Sequence, residues 1–409
     1  MPIWPCSRFS PEGIILCRFR RMDGWIRLKL SPSSYWRLST TMNTRIENEY
    51  APLNVAPPGT TLEEALEERG MSQAELAERT GRPKKTINEI VKAQAAITPE
   101  TAIQLERVLG IPASFWITRQ HQYDESVARA HSEERLVGYV DWLKRFPVSQ
   151  MMSLGWIPRT ESRVSKVESL LRFFRIASPD EWETALIAPR LGISFRESAA
   201  FKTNPYALCA WLRQGEIQAS AVKSSDFSRR DFEEVLVKVR NLVRDLPDGF
   251  DSKLASLCAR AGVAVVFVPL IKGVHAWGAT RWLNTGKAMI LLSLRGKYED
   301  VFWFSFYHEA GHLLLHGKKE LFVEEGGRKP DNAEKEADDF AKKLLIDDSL
   351  WQAFVAGKKS YSVGDIAQFA SKAGVSQAIA VGRLQHEGRI EPSHLNRLRR
   401  KIDFGPTKN

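Results

Sequence analysis

The segment Tyr307-His308-Glu309-Ala310-Gly311-His312 sets two imidazoles four residues apart, with a carboxylate beside the first. On an α-helix such positions share a face, about 6 Å apart along the axis, so both rings can turn to one ion. Glu309 is rotated from that face, where it can hold a water at the ion and take its proton as the water attacks a carbonyl. Zinc suits these nitrogen donors and brings the pKa of a bound water to roughly 7. The flanking run is apolar, and dry surroundings strengthen the electrostatics of such a site.

A catalytic zinc keeps three protein ligands and one open position. Candidates for the third lie in Asn332-Ala333-Glu334-Lys335-Glu336-Ala337-Asp338-Asp339-Phe340-Ala341. Glu334 and Asp338 are spaced i, i+4, so Glu334 can bind the metal while Asp338 accepts the N–H of a ligating histidine. Glu336 is the rival ligand, differing only by helix rotation; Glu334 is favoured because it alone has a carboxylate four residues on. Lys335 and Asp339 read as a solvated face, and Ala337 and Ala341 as small residues that let this helix pack closely on the first. His316, followed at once by Gly317, reads as a helix cap or a lining residue. The expected site is therefore Glu309 as the catalytic base, His308, His312 and Glu334 as ligands, Asp338 behind them, and one zinc ion per chain.

The elements that must position these groups follow from pattern. Two helices are expected at roughly 299–316 and 332–345, joined by a loop with Gly326-Gly327 and Pro330. Val263 to Pro269 and Ala288 to Ser293 read as strands, and Asn284-Thr285-Gly286-Lys287 has turn chemistry. The strand at 288–293, just before the metal helix, is expected to be an edge that holds an extended substrate by β-addition. Leu170 to Phe174, Ala207 to Leu212 and Phe232 to Leu246 suit helices, as does the tail from Val363. The basic run Arg397-Leu398-Arg399-Arg400-Lys401 reads as a solvated helix face. Arg196, Glu197 and Ser198 beside Phe195 read as interdomain packing.

A second constellation lies upstream. In Met71-Ser72-Gln73-Ala74-Glu75-Leu76-Ala77-Glu78-Arg79-Thr80-Gly81, Ser72 and Glu75 form a capping-box pattern, Leu76 and Ala77 point inward and Gly81 supplies a turn. A second helix follows from about Pro83, a first-turn residue, to Lys92, with Ile87, Ile90 and Val91 as its buried stripe. Lys84, Lys85, Thr86, Asn88 and Glu89 are left outward, where a recognition helix meets bases and phosphates, and Gln73 can reach a phosphate. Residues 57–123 hold eight Lys or Arg against nine Asp or Glu, so binding to operator DNA is expected to be weak or dimer-dependent. The acidic face also suits a basic protein partner, such as a cognate toxin.

Two resemblances follow. His308 to His316 with the Glu334–Ala341 run resembles the ImmA/IrrE metallo-endopeptidases, with further likeness at Ala210 to Glu216, Val375-Ser376 and Arg383-Leu384. Members are typically cytosolic bacterial proteins, and several cut a repressor or another regulator; they usually carry Asn where this chain has Asp338. Residues from Met71 through Ile97-Thr98-Pro99 to Phe115-Trp116 resemble Cro-repressor-type regulators, most of all HigA-type antitoxins. Those relatives commonly have Asn-Gly-Lys-Arg where this chain has Lys92-Ala93-Gln94-Ala95.

At 409 residues with 43% hydrophobic and 26% charged residues, the chain has the composition of an ordinary multidomain globular protein. No apolar run is long enough to cross a membrane. Cys6, Cys17, Cys209 and Cys258 are scattered, which points to a reducing, cytoplasmic setting and away from a thiolate metal site. Of the net charge of +10, half sits in residues 1–41, a stretch read as lacking periodicity. Met42-Asn43-Thr44-Arg45 resembles an ordinary start, so 1–41 reads as an over-extended start or a disordered tail. The expected organisation continues with a linker at 42–56, a helix-turn-helix domain at 57–123, a helical middle region at 124–245, a zinc metallopeptidase core at 246–350 and a helical C-terminal region at 351–409. The fold class is α+β and mainly helical: an all-α bundle, then a zincin-like metallopeptidase domain with a small sheet. The expected function is transcription regulation coupled to endopeptidase action on a regulatory protein. The alternative is an antitoxin-like regulator whose metal domain is a sensor or scaffold with little turnover.

Overall fold

The computed structural model describes residues 55–182, 184, 204–293, 298–317, 321–325 and 332–402, and the backbone of 15–21 and 24–30. The loop glycines 326 and 327, Pro330, and the Phe195–Ser198 segment lie outside the described residues. The chain divides into two compact units, Met1–Arg129 and Ala130–Asn409.

In the first unit, β1 (Ile15–Arg21) and β2 (Gly24–Leu30) pair antiparallel, with Cys17 opposite Leu28 and Phe19 opposite Ile26. This corrects the reading of no periodicity: Cys17 and Phe19 alternate with arginines, as Ile26 and Leu28 alternate with Arg27 and Lys29. Four helices follow: α1 (Pro58–Glu68), α2 (Gln73–Thr80), α3 (Lys84–Val91) and α4 (Pro99–Leu109). Ser72 caps α2 by accepting from the Glu75 N–H, and Gly81 ends it in the left-handed region at φ 68°. Pro83 is the N-cap of α3 rather than its first residue. Leu62, Leu66, Leu76, Ile87, Ile90, Leu105 and Trp116 make the core, with Val91 only half-buried at its margin. Ala93 has φ 57°, so the position where the resembling regulators carry glycine keeps a left-handed backbone here. The helix α5 (Ala113–Val137) carries the chain onward.

The second unit adds α6 (Val148–Ser153), α7 (Arg163–Phe174), α8 (Pro205–Ala221), α9 (Arg229–Asp245) and α10 (Phe250–Ala259). Next come β3 (Val263–Val268), β4 (Ala276–Asn284), β5 (Lys287–Ser293), α11 (Glu299–Leu315), β6 (Phe322–Glu325) and α12 (Asn332–Leu345). Three helices close it: α13 (Asp348–Val355), α14 (Val363–Ala373) and α15 (Gln377–His386).

The sheet order is β3-β5-β4-β6, with β3 parallel to β5 and the other pairs antiparallel. Its two faces are covered by different helices, which is why β3 and β5 read as continuous apolar runs. Val263, Val265, Ile290 and Leu292 pack with α9, α10 and α11; Ala264, Val266, Met289 and Leu291 pack with α7 and α8. The strand expected to be an edge, β5, is instead central, with hydrogen-bonded neighbours on both sides and Ala288 to Leu292 buried. The edge strands of this sheet are β3 and β6, and neither β6 nor β4 is predicted by the sequence pattern.

In the C-terminal basic run Arg397, Arg400 and Lys401 are exposed, as expected of a solvated face, and Arg399 is the exception. Arg399 binds both oxygens of Asp300 at 3.1 and 2.7 Å, and Arg400 binds both oxygens of Glu299 at 2.9 and 3.1 Å. These carboxylates are buried in the first turn of α11, so both arginines tie the C-terminal segment to that helix, Arg399 largely withdrawn from solvent and Arg400 still exposed. Among the described residues, no helix is long and apolar enough to cross a membrane.

Candidate metal centre and nucleic-acid interface

Helix α11 is buried along almost its whole length, with Trp303, Phe306, Tyr307 and Ala310 at 0% exposure. A helix buried on all sides is fixed in rotation, and so are the two histidines it carries. Their Nε2 atoms lie 3.0 Å apart. Glu334, on α12, brings its carboxylate to 3.1 Å from His308 Nε2 and 3.6 Å from His312 Nε2. One ligand atom from each of these three residues falls within 4.8 Å of the others. Tetrahedral zinc with Zn–N bonds of about 2.0–2.1 Å needs a nitrogen–nitrogen edge of roughly this size, so the donor set fits a single zinc.

The approach of α12 depends on small residues. A Cβ on Gly311 would meet the Ala337 backbone at 3.2 Å and the Phe340 ring at 3.1 Å, and Ala337 and Ala341 are fully buried. Behind the ligands, Asp338 Oδ1 lies 2.9 Å from His308 Nδ1. His316 is itself the C-cap of α11; its Nδ1 is 3.0 Å from His312 Nδ1 and its Nε2 is 3.1 Å from Glu336. Glu336 therefore stands on His316, while Glu334 stands on the two expected ligands.

Burial and charge set the protonation of these groups. Burial disfavours the charged form of His308, but the Asp338 and Glu334 carboxylates outweigh it and push its pKa up to about 11. Burial and the neighbouring His308 hold His312 down at about 2. Burial would raise Asp338, yet its bond to His308 keeps it below the usual carboxylate range. Glu309 is fully buried, neither carboxylate oxygen has a hydrogen-bond partner among the described residues, and burial pushes its pKa well above the ordinary value. It occupies a notch over β4: a Cβ on Gly278 would lie 2.6 Å from Glu309 Oε1.

Two lining residues escaped the sequence reading. On β6, Phe322 stacks on His312 with ring centroids 4.1 Å apart, and Glu324, paired across the sheet with Gly278, has a buried oxygen without a partner. Burial raises the Glu324 carboxyl, against the charge of His308. The edge strand β6 thus borders the centre, and nothing in a four-residue apolar-acidic stretch announces that.

In the first unit, Lys84 and Lys85 are exposed at the start of α3, and Thr86, Asn88 and Glu89 are half-buried beside them. Asn88 donates to Gln73 Oε1 at 3.4 Å, and Lys85 lies 3.7 Å from Glu89. The structure therefore brings Gln73 of α2 onto the outer face of α3.

Family profiles match both regions of the chain. The helix-turn-helix family profile matches residues 62–116, and the peptidase M78 profile, described as the IrrE N-terminal-like domain, matches residues 258–385. Virulence-associated protein A of Dichelobacter nodosus is 36% identical over 72 residues, 17% of this chain and 71% of that protein. Virulence-associated protein I of the same organism is 40% identical over 72 residues, 17% of this chain and 67% of that protein. Among solved structures, a HigA-family addiction module antidote protein from Coxiella burnetii is 28% identical, covering 21% of this chain and 94% of that one at a TM-score of 0.20. The Pseudomonas aeruginosa antitoxin HigA, solved with the higBA promoter, is 32% identical, covering 20% and 90% at 0.20. The chain belongs to the helix-turn-helix family through residues 62–116 and joins to it, through residues 258–385, an IrrE N-terminal-like domain.

Proposed function

We propose that this protein is a cytoplasmic regulator that binds operator DNA as a dimer through α2 and α3 and cleaves a regulatory protein with a zinc-dependent endopeptidase centre. The observation that carries the peptidase reading is the convergence of His308, His312 and Glu334 within 4.8 Å, beside a buried Glu309 whose carboxylate has no partner among the described residues.

When bound, zinc supplies Lewis acidity to the peptide carbonyl and to the attacking water. Glu309 takes the proton from that water and gives it to the leaving amine. A carboxyl whose pKa is raised by burial can hold the proton between the two events. Asp338 keeps the N–H of His308 on Nδ1 and frees Nε2 for the metal; His316 meets the corresponding nitrogen of His312. Buried walls keep bulk water away from these charges.

The DNA reading rests on the helix-turn-helix match and on Lys84 and Lys85 standing exposed at the start of α3, with Thr86, Asn88, Glu89 and Gln73 around them. Replacing both lysines by Ala is expected to lower the slope of log affinity against log salt on duplex DNA by about 1 per lost phosphate contact.

The cleavage test is incubation of zinc-loaded wild type and Glu309→Gln with regulators encoded beside this protein, followed by mass spectrometry of the fragments. Fragments from wild type alone support the proposal. Zinc retained in both proteins with no Glu309-dependent fragment points instead to a regulator with a sensing metal.

A further inference from the structure

A cavity of about 450 Å³ lies between α11, α12, α15 and the β4–β6 edge of the sheet. It starts one helical turn from the metal centre: Phe304 and Ser305 line it and precede His308 and Glu309 by four residues. The Phe304 ring stands between, 6.2 Å from the His308 ring and 6.0 Å from that of His386. Most of the wall is apolar, from Trp277, Phe304, Leu345, Ile346 and Ile379.

The charges around this wall are unevenly satisfied. Arg399 is held by Asp300 at 2.7 Å, Arg383 by Glu387 at 2.9 Å and by Asp348 at 3.3 Å, and Lys342 lies 3.5 Å from Asp339. Glu324 is different. Its carboxyl meets the Ser305 hydroxyl and feels the charge of His308, while Oε2 is buried without a hydrogen-bond partner, and no lysine or arginine pairs with it among the described residues. Native structures rarely leave a buried acid in this state unless something else completes it.

We propose that this cavity receives a substrate side chain next to the cleaved bond, and that Glu324 selects a long basic residue, lysine or arginine, at that position. The inference rests on the peptidase reading. A lysine or arginine side chain matches the site in both parts: its methylene stem lies along the apolar wall and its cation meets Glu324. An aliphatic side chain of equal length would leave the acid unpaired, so discrimination follows from the missing partner rather than from size.

The test is cleavage-site profiling of a proteome-derived peptide library by the zinc-loaded full-length protein and its Glu324→Gln variant, an isosteric change checked by zinc content and circular dichroism. Lysine and arginine should be enriched at least fivefold at one position flanking the cleaved bond. Glu324→Gln should lose that enrichment while still cutting. Cleavage without basic enrichment, or enrichment that survives Glu324→Gln, overturns the inference but leaves the peptidase reading standing.

Binding is measured separately on zinc-loaded Glu309→Gln, by fluorescence polarisation of two labelled octapeptide pools with lysine or norleucine at one fixed position. Binding about tenfold tighter for the lysine pool is expected, with parity in a Glu309→Gln, Glu324→Gln double variant. Equal binding of the pools overturns the inference even where no cleavage is seen.

Discussion

Asp338 Oδ1 stands 2.9 Å from Nδ1 of His308, while Glu334, one turn earlier on the same helix, reaches Nε2 of that ring at 3.1 Å. One helix thus controls both nitrogens of one imidazole. Asp338→Ala is expected to weaken zinc binding by about 10–100-fold, because the ring loses the acceptor that fixes its tautomer. Asp338→Asn keeps a carbonyl acceptor and should lose much less. Competition titration against a zinc chelator measures both.

The same contacts predict a zinc affinity that depends on pH. Without metal, His308 is held protonated, with a pKa of about 11. Zinc needs the neutral ring, so binding expels that proton, and the affinity is gained as pH rises towards that value. Between pH 6 and 8 the affinity should increase about tenfold per unit for the one proton released. An affinity unchanged across that range would contradict the protonated pair.

Gly278 gives Glu309 its room. Gly278→Ala would put a Cβ 2.6 Å from Glu309 Oε1 and displace the carboxylate, which lies in a fully buried notch. Cleavage should fall at least tenfold while zinc content stays near that of wild type. Loss of both together would mean the notch supports the fold rather than the base.

Ala93 tests the other unit. Its left-handed backbone, φ 57°, costs an alanine about 1 kcal/mol more than a glycine. Ala93→Gly should therefore raise the thermal midpoint of the helix-turn-helix unit by a few degrees, read by calorimetry on the full chain.

Arg399→Ala would leave Asp300 buried and unpaired at the start of the metal helix, where burial already raises its pKa. Breaking such a pair costs about 3–5 kcal/mol. A large drop in the urea midpoint is expected, and no change would show that the C-terminal segment does not anchor α11.

The candidate site was legible because its residues are brought together by local spacing. His308 and His312 declare themselves at i, i+4, and Glu334 is marked out by Asp338 one turn later, so two helices in the right register suffice. The residues that escaped act through distant pairing. Arg399 and Asp300 are 99 residues apart, and a basic run reads the same whether solvated or anchored. Strand β4 carries Ala276, Gly278 and Ala279 where a strand signal needs bulky residues, and of these Gly278 is the one that leaves room for Glu309 of α11. The four residues of β6 give too short a pattern to read, so Phe322 and Glu324 were invisible beside the site. Strand order was equally hidden: the apolar run of β5 marks it as buried, which argues against an edge once both sheet faces are known to be covered.

The most direct test of the metal centre is elemental analysis of purified wild type and His308→Ala. The proposed centre predicts about one zinc per chain in wild type and its loss in the variant. Wild type without zinc, or zinc retained in full by His308→Ala, would contradict it.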